Sequence, residues 1–94
     1  VSMATFAGRR LAEMADNTGT ILAIEWLAAA QGVDFLRPLI TSPRLVKTYD
    51  VLRELVPFYD RDRLFAPDIE AAKSSLLSGS LSRTHADLLA SLWT

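Results

Sequence analysis

The feature that most limits how this chain can fold is a proline-free run over residues 2–31. Alanine, leucine, glutamate, methionine and arginine dominate this run, and these residue types favour the α-helix. Gly32 follows the run, and glycine commonly ends helices. The sequence therefore predicts one long helix over residues 2–31 that stops at Gly32.

The two halves of this helix differ in character. In the first half, a polar stripe that includes Arg9, Arg10 and Glu13 lies opposite an apolar stripe that includes Leu11. When the polar stripe is continued by steps of three and four residues, it reaches apolar positions such as Ile24. The second half is thus apolar nearly all round, and such a helix must be buried on every side.

The helix is also long for a chain of this size. About 28 residues at a rise of about 1.5 Å give a rod of roughly 40 Å. A compact chain of 94 residues is only about 32 Å across. Half of the residues are apolar, which is a high share for a small body. We therefore expect polypeptide outside these 94 residues to cover part of the helix, and the first residue, Val1, makes us expect an upstream start.

Three further helices are predicted, and together they indicate an all-α fold in a single segment, 1–94. Ser42 and Pro43 form a typical helix start, which gives a helix over 43–55. Pro67 opens a helix over 67–78, which Gly79 ends. Thr84 begins a capping-box pattern, which gives a short helix over 85–93. The sequence contains no clear strand alternation.

Composition excludes several classes of partner. The formal net charge is −1 and the basic residues form no stripe, so nucleic acid is not an expected partner. The longest nearly apolar run, 21–30, contains Glu25 and is about half of the roughly 20 residues that a membrane span needs. No signal peptide is recognisable, and the absence of cysteine fits a cytoplasmic protein.

The residues show no catalytic site. His85 is the only histidine, so neither a metal site nor a Ser/His/Asp triad can be built around it. The loop residues Asp60, Arg61, Asp62 and Arg63 could form a clamp that binds a carboxylate, although a local salt-bridge network is the simpler interpretation. We therefore predict no catalytic, cofactor-binding or metal-binding residue in this chain.

Three blocks of the sequence nevertheless carry a specific resemblance. They are VSMATFAGRRLAEMADNTGTILAIEWLAAAQGVDF, SPRL and VPFYDRDRLFAPDIEAA. In this order and spacing they resemble the C-terminal part of histidine ammonia-lyases, within the aromatic amino acid ammonia-lyases and aminomutases. The resemblance covers Val1 to about Gly79, and the stretch 80–94 departs from it.

The resemblance implies a long-helix bundle segment of a larger, helical, homotetrameric lyase. Such enzymes eliminate ammonia from an aromatic amino acid, here most closely histidine to urocanate. Their cofactor is a methylidene-imidazolone made from an Ala-Ser-Gly tripeptide, which this chain lacks. The family's Gln-Glu pair and catalytic tyrosine lie upstream, and neither Tyr49 nor Tyr59 matches that tyrosine. The chain alone is therefore expected to be inactive.

The resemblance also implies which residues contact the rest of the parent chain and identical subunits. Arg61, Asp62 and Arg63 match a charged loop that we expect to lock onto neighbouring helices. The expected bundle or interface positions are Met14, Ile21, Ile24, Trp26, Leu27 and Ala28. The alternative that the sequence leaves open is a free-standing helical interaction module without catalysis.

Overall fold

A computed structural model describes residues 3–87, and this part of the chain is helical without a strand. The all-α class is therefore confirmed for these residues. The predicted helix over 85–93 lies largely outside them. The helices are α1 (Met3–Phe35), α2 (Pro43–Leu55), α3 (Ala66–Ser78) and α4 (Ser80–Thr84).

Helix α1 is longer than the sequence predicted. It continues through Gly32 to Phe35, so the prediction of a stop at Gly32 was wrong. One glycine inside a helix costs only about 1 kcal/mol relative to alanine. The last turn recovers this cost because the Asp34 carboxylate accepts hydrogen bonds from Tyr49 and Arg53 of α2. Contacts distant in sequence thus override the local signal.

One face of α1 carries small residues and packs against the rest of the chain. Gly19, Ala23, Leu27 and Ala30 are its buried residues. A Cβ atom at Gly19 would lie 3.4 Å from the Leu77 side chain, so α3 passes close to the α1 backbone there. Small side chains at this contact allow the two helices to approach. The remaining buried apolar residues of the core are Leu52, Val56 and Ala72.

The ends of the shorter helices follow the predicted chemistry. The Ser42 hydroxyl accepts a hydrogen bond from the Leu45 N–H at 3.3 Å, with Pro43 as the first helical residue. This confirms the predicted start of α2. Helix α3 ends at Gly79, which has a left-handed φ of 81°. Only glycine adopts that conformation without steric cost.

The predicted capping role of Thr84 was wrong. Thr84 is the last residue of α4, and its hydroxyl donates to the carbonyl of Ser80 at 3.1 Å. His85 then caps α4 at its C-terminal end. A threonine hydroxyl can bond backward to a carbonyl four residues earlier as readily as forward to an N–H. The sequence pattern alone therefore did not decide the direction.

The molecule is flat and extended. Its principal dimensions are 59 × 42 × 17 Å, and its radius of gyration is 16.2 Å, whereas a compact chain of this length has about 12 Å. Its accessible surface is 7102 Å², and a compact monomer of this mass exposes about 5,400 Å². The first half of α1, residues 3–18, is exposed throughout. Within residues 3–87, no helix is both long and apolar enough to cross a membrane.

Leu52 provides a test of this small core, because it is fully buried. We expect Leu52→Ala to lower the free energy of unfolding by about 2–5 kcal/mol, since it leaves a cavity. Chemical denaturation of the unsubstituted chain and of Leu52→Ala measures this difference in the free energy of unfolding. The matched control is Lys47→Ala on the exposed side of α2, which should change stability by less than about 0.5 kcal/mol. Equal effects of both variants would contradict this description of the core.

Candidate functional site

The side of α1 opposite its packed face is apolar and uncovered. We call this surface the outer face. Leu11, Met14 and Ile21 lie on it and are 56–64% exposed. Its residues follow alternating steps of four and three, which places them along one side of a helix. All eight are exposed, namely Ala7, Leu11, Met14, Thr18, Ile21, Glu25, Ala28 and Gly32.

The predicted interface residues of α1 divide between its two sides. Met14, Ile21, Ile24 and Ala28 are exposed, as uncovered interface residues would be. Leu27 is instead buried in the chain's own core. The last member, the half-buried Trp26 side chain, packs against that core. Within residues 3–87 its buried indole N–H has no acceptor. The contact of these residues with other subunits stays a prediction.

An apolar groove of about 400 Å³ lies between α1, α3 and the loop that precedes α3. Leu27 forms its buried floor, and Tyr59 and Phe65 close one side with their rings 4.9 Å apart. Among the described residues, Gln31 supplies the only amide side chain of the groove wall. The groove residues are Ile24, Leu27, Ala28, Gln31, Tyr59, Phe65 and Ile69.

Gln31 attaches this loop to α1 through two hydrogen bonds. The Gln31 side-chain N–H donates to the backbone carbonyl of Tyr59 at 3.0 Å. The backbone N–H of Tyr59 donates in return to the side-chain oxygen of Gln31 at 3.2 Å. Both polar groups of the Tyr59 backbone are thereby satisfied without a strand or helix partner. No sequence pattern indicates this contact, because Gln31 and Tyr59 are far apart along the chain.

Arg63 organises the same loop from the other end. Its guanidinium donates to Asp68 at 2.9 Å and to the carbonyls of Phe58 and Pro57 at 3.2 and 2.6 Å. It also lies over the Tyr59 ring, 3.8 Å from the centroid. A planar fork of five donors suits several acceptors at once. Arg63 thus joins the loop to the first turn of α3.

The other two residues of the charged loop are placed differently. Arg61 and Asp62 are exposed and form no ion pair within residues 3–87. The ion-pair partner of Arg63 is Asp68 of α3 and not an acidic residue of the loop. The contacts of the loop therefore run to the chain's own α3, and locking onto helices of other subunits stays a prediction.

A second cluster of the same chemistry joins α1 to α2. The Asp34 side chain is 8% exposed and forms ion pairs with Arg53 at 2.7 Å and with Arg37 at 3.2 Å. The Tyr49 hydroxyl donates a hydrogen bond to the same carboxylate. The guanidinium groups of Arg37 and Arg53 also lie over the Tyr49 ring, at 5.7 and 5.4 Å. Asp34 is therefore a fully partnered, structural carboxylate.

These contacts shift the pKa values of the clustered groups. Burial alone would raise the pKa of Asp34, but the hydrogen bonds from Tyr49, Arg53 and Arg37 outweigh it and lower that pKa. The pKa of Asp68 is lowered in the same way, against burial, by Tyr59 and Arg63. Burial, and then the neighbouring Asp68 carboxylate, raises the pKa of Tyr59. Both carboxylates stay ionised at neutral pH, so neither is poised to donate a proton.

His85 is not in a catalytic environment. Its Nε2 atom lies 2.7 Å from the Thr48 hydroxyl of α2, so His85 contributes a contact between the end of α4 and α2. No group of three potential metal ligands occurs among the residues that the structure describes. The side chains described above build contacts between helices.

The comparison with known protein families gives a context for the uncovered outer face of α1. The family model described as aromatic amino acid lyase matches residues 1–54. The chain belongs to the aromatic amino acid lyase family. The match spans most of α1 and α2, which are the two helices that the Asp34 cluster joins.

Members of this family named histidine ammonia-lyase are similar to the chain over most of its length. The protein of Vibrio cholerae is 63% identical over 76 residues, which are 81% of this chain and 15% of that protein. The protein of Pseudoalteromonas atlantica is 58% identical over 82 residues, 87% of this chain and 16% of that protein. The chain thus spans less than a fifth of the length of these relatives.

A third relative extends the similarity toward the C-terminus. The histidine ammonia-lyase of Desulfotalea psychrophila is 55% identical over 92 residues, which are 97% of this chain and 18% of that protein. This share of the chain reaches past Gly79. The alignment to this relative thus enters the stretch 80–94, which was expected to depart from the family, whereas the other two alignments cover 76 and 82 residues.

The lowered pKa values of Asp34 and Asp68 predict how stability depends on pH. A carboxyl group with a lowered folded-state pKa stabilises the fold above its unfolded pKa of about 3.9, and this contribution is lost as the pH falls through the folded value. We expect stability to fall with acidification below about pH 4, and Asp34→Asn to flatten that dependence. Denaturation at several pH values measures how the free energy of unfolding depends on pH. The control is Asp50→Asn, at an exposed position without an ion pair among residues 3–87, and it should keep the wild-type dependence of stability on pH. An equally steep dependence in Asp34→Asn would contradict the stabilising role of the Asp34 carboxylate.

Arg63 and Arg61 form a matched pair for testing the loop. Arg63→Ala removes contacts to Asp68, Pro57 and Phe58, so we expect the melting temperature to fall by several degrees. Arg61→Ala should change it by no more than about one degree, because Arg61 is exposed and unpaired in the described part of the chain. Thermal unfolding of the complete enzyme measures both. The locking role is abandoned if Arg63→Ala changes neither the melting temperature nor the assembly.

Proposed function

We propose that this chain is the C-terminal structural and oligomerisation part of an ammonia-lyase that eliminates ammonia from histidine to give urocanate. The observation that supports it most strongly is the 63% identity to a protein named histidine ammonia-lyase, of which the chain covers 15%. Identity at this level over 81% of this chain favours the same role within the parent protein. The parent is proposed to be a cytoplasmic homotetramer.

The structural role is supported by what the helices do. The Asp34 and Asp68 carboxylates are held by arginine and tyrosine side chains within the chain, and these contacts hold the helices together. The chain contains no Ala-Ser-Gly tripeptide, so its residues do not supply the methylidene-imidazolone of the family. In this proposal that group belongs to the upstream part of the parent, and the 94-residue chain alone is inactive.

The oligomerisation role is supported by the uncovered outer face. Leu11, Met14 and Ile21 expose more than half of their side-chain surface to solvent. Contiguous apolar surface of this kind marks contact sites in soluble proteins. The accessible surface exceeds that of a compact monomer by about 1,700 Å², which is about twice what one partner buries in a standard interface. A second subunit is therefore a fitting cover.

Ammonia release tests the proposed reaction. The complete polypeptide that contains these residues is incubated with histidine, tyrosine or phenylalanine, and ammonia is measured. We expect release from histidine with formation of urocanate, and none from the 94-residue chain under the same conditions. The chain serves as the matched control because it lacks the tripeptide that forms the electrophile.

The other outcomes are informative. Release from tyrosine or phenylalanine alone would contradict the choice of histidine but keep the class of reaction. No release from any of the three, with a well-folded polypeptide, would contradict the lyase and favour a helical interaction module. Activity of the 94-residue chain by itself would contradict the structural role.

A further inference from the structure

The outer face of α1 has the spacing of a helix–helix seam. Its eight residues, from Ala7 to Gly32, are separated by alternating steps of four and three. This spacing is the heptad pattern by which two helices pack side by side. The buried residues Ala23, Leu27 and Ala30 lie on the other side of the helix. The seam is therefore free along its whole length in the described chain.

Two ionisable side chains border this seam. Glu25 lies on it between Ile21 and Ala28, and Arg10 lies beside it, three residues after Ala7 and four before Met14. Both are exposed, and neither forms an ion pair within residues 3–87. The remaining charged residues of α1 point elsewhere around the helix. Any apolar cover must bring a cation to Glu25, because an uncompensated buried charge is strongly unfavourable.

The chain itself contains the matching cation at the right distance. Arg10 and Glu25 are fifteen residues apart, which is about 22 Å along a helix, so they cannot meet within one α1. We propose that the outer face packs against the same face of a second copy of this chain in antiparallel order, with Arg10 of each copy paired with Glu25 of the other. This inference rests on the proposed oligomerisation role and specifies its geometry.

The antiparallel order is selected by charge. A parallel, in-register pair would place Arg10 against Arg10 and Glu25 against Glu25, and like charges in such positions repel. The antiparallel pair satisfies both charges twice, as a two-fold symmetric contact requires. In the same register Met14 faces Ile21, and Ala7 faces Ala28. Met14 and Ile21 then lie on either side of the central Thr18, while the small alanines let the helices approach at both ends.

Zero-length cross-linking tests this pairing directly in the complete polypeptide. In the conservative variant Arg10→Lys, a carbodiimide can join the new amine to a carboxylate that it contacts. We expect the mass spectrum to contain a cross-linked peptide in which the amine introduced at position 10 is joined to Glu25. The distance within one helix makes that product possible only between two copies. The matched control, Arg9→Lys, has its amine on another side of α1 and should give no link to Glu25.

Charge reversal provides a second measurement. Arg10→Glu or Glu25→Arg should each weaken assembly at least about tenfold, since each places like charges together. The double variant should restore most of the loss. Arg9→Glu and Glu13→Arg are the controls, and neither should change the assembly. Light scattering at several protein concentrations measures the assembled fraction.

The result that overturns the proposal is distinct from a failure of the proposed function. Suppose that the enzyme assembles and releases ammonia, but the amine of the Arg10→Lys variant links only to carboxylates other than Glu25. If the double charge-reversal variant is then no better than the single ones, another segment covers the outer face. A cross-link from that amine to Glu25, together with restored assembly, supports the antiparallel pair even if the substrate is not histidine.

Discussion

The contact between α3 and the small-residue face of α1 determines the rest of the structure. Gly19 and Ala23 allow α3 to pass close to the α1 backbone, and Leu27 fills the space beside them. Because α2 and α3 pack on this one side of the long helix, no part of residues 3–87 covers the opposite side. The small core and the large uncovered face are therefore two consequences of the same choice of residues.

The two loops that connect the longer helices are fixed by the same kind of side-chain cluster. In each cluster an aspartate accepts from a tyrosine and an arginine, and the arginine lies over the tyrosine ring. One is centred on Asp34 and the other on Asp68. A charged hydrogen bond is stronger than a neutral one, which suits connections that have little apolar surface to bury. The charges that could be mistaken for catalytic groups thus maintain the position of the helices.

The sequence predicted the helices better than it predicted their ends. The start of α2 at Ser42 and the end of α3 at Gly79 depend on local hydrogen bonds and backbone conformation, and both were predictable. The end of α1 depends on contacts of Asp34 with α2, so Gly32 was a misleading signal. The bonds of Gln31 to Tyr59 join residues distant in sequence, and no local pattern indicates them. The uncovered face of α1 was predictable because hydrophobic periodicity is itself a local property.

The thickness of 17 Å is less than two helix diameters of about 10 Å each. In so thin a layer few side chains can be surrounded on all sides, so in the proposed oligomer the contacts between subunits contribute to the free energy that keeps the layer folded. By mass action, ligands and subunits that bind only the folded form stabilise it in proportion to the logarithm of their concentration. In that oligomer the folding of this segment is coupled to its association, and the melting temperature depends on the protein concentration as well as on the chain.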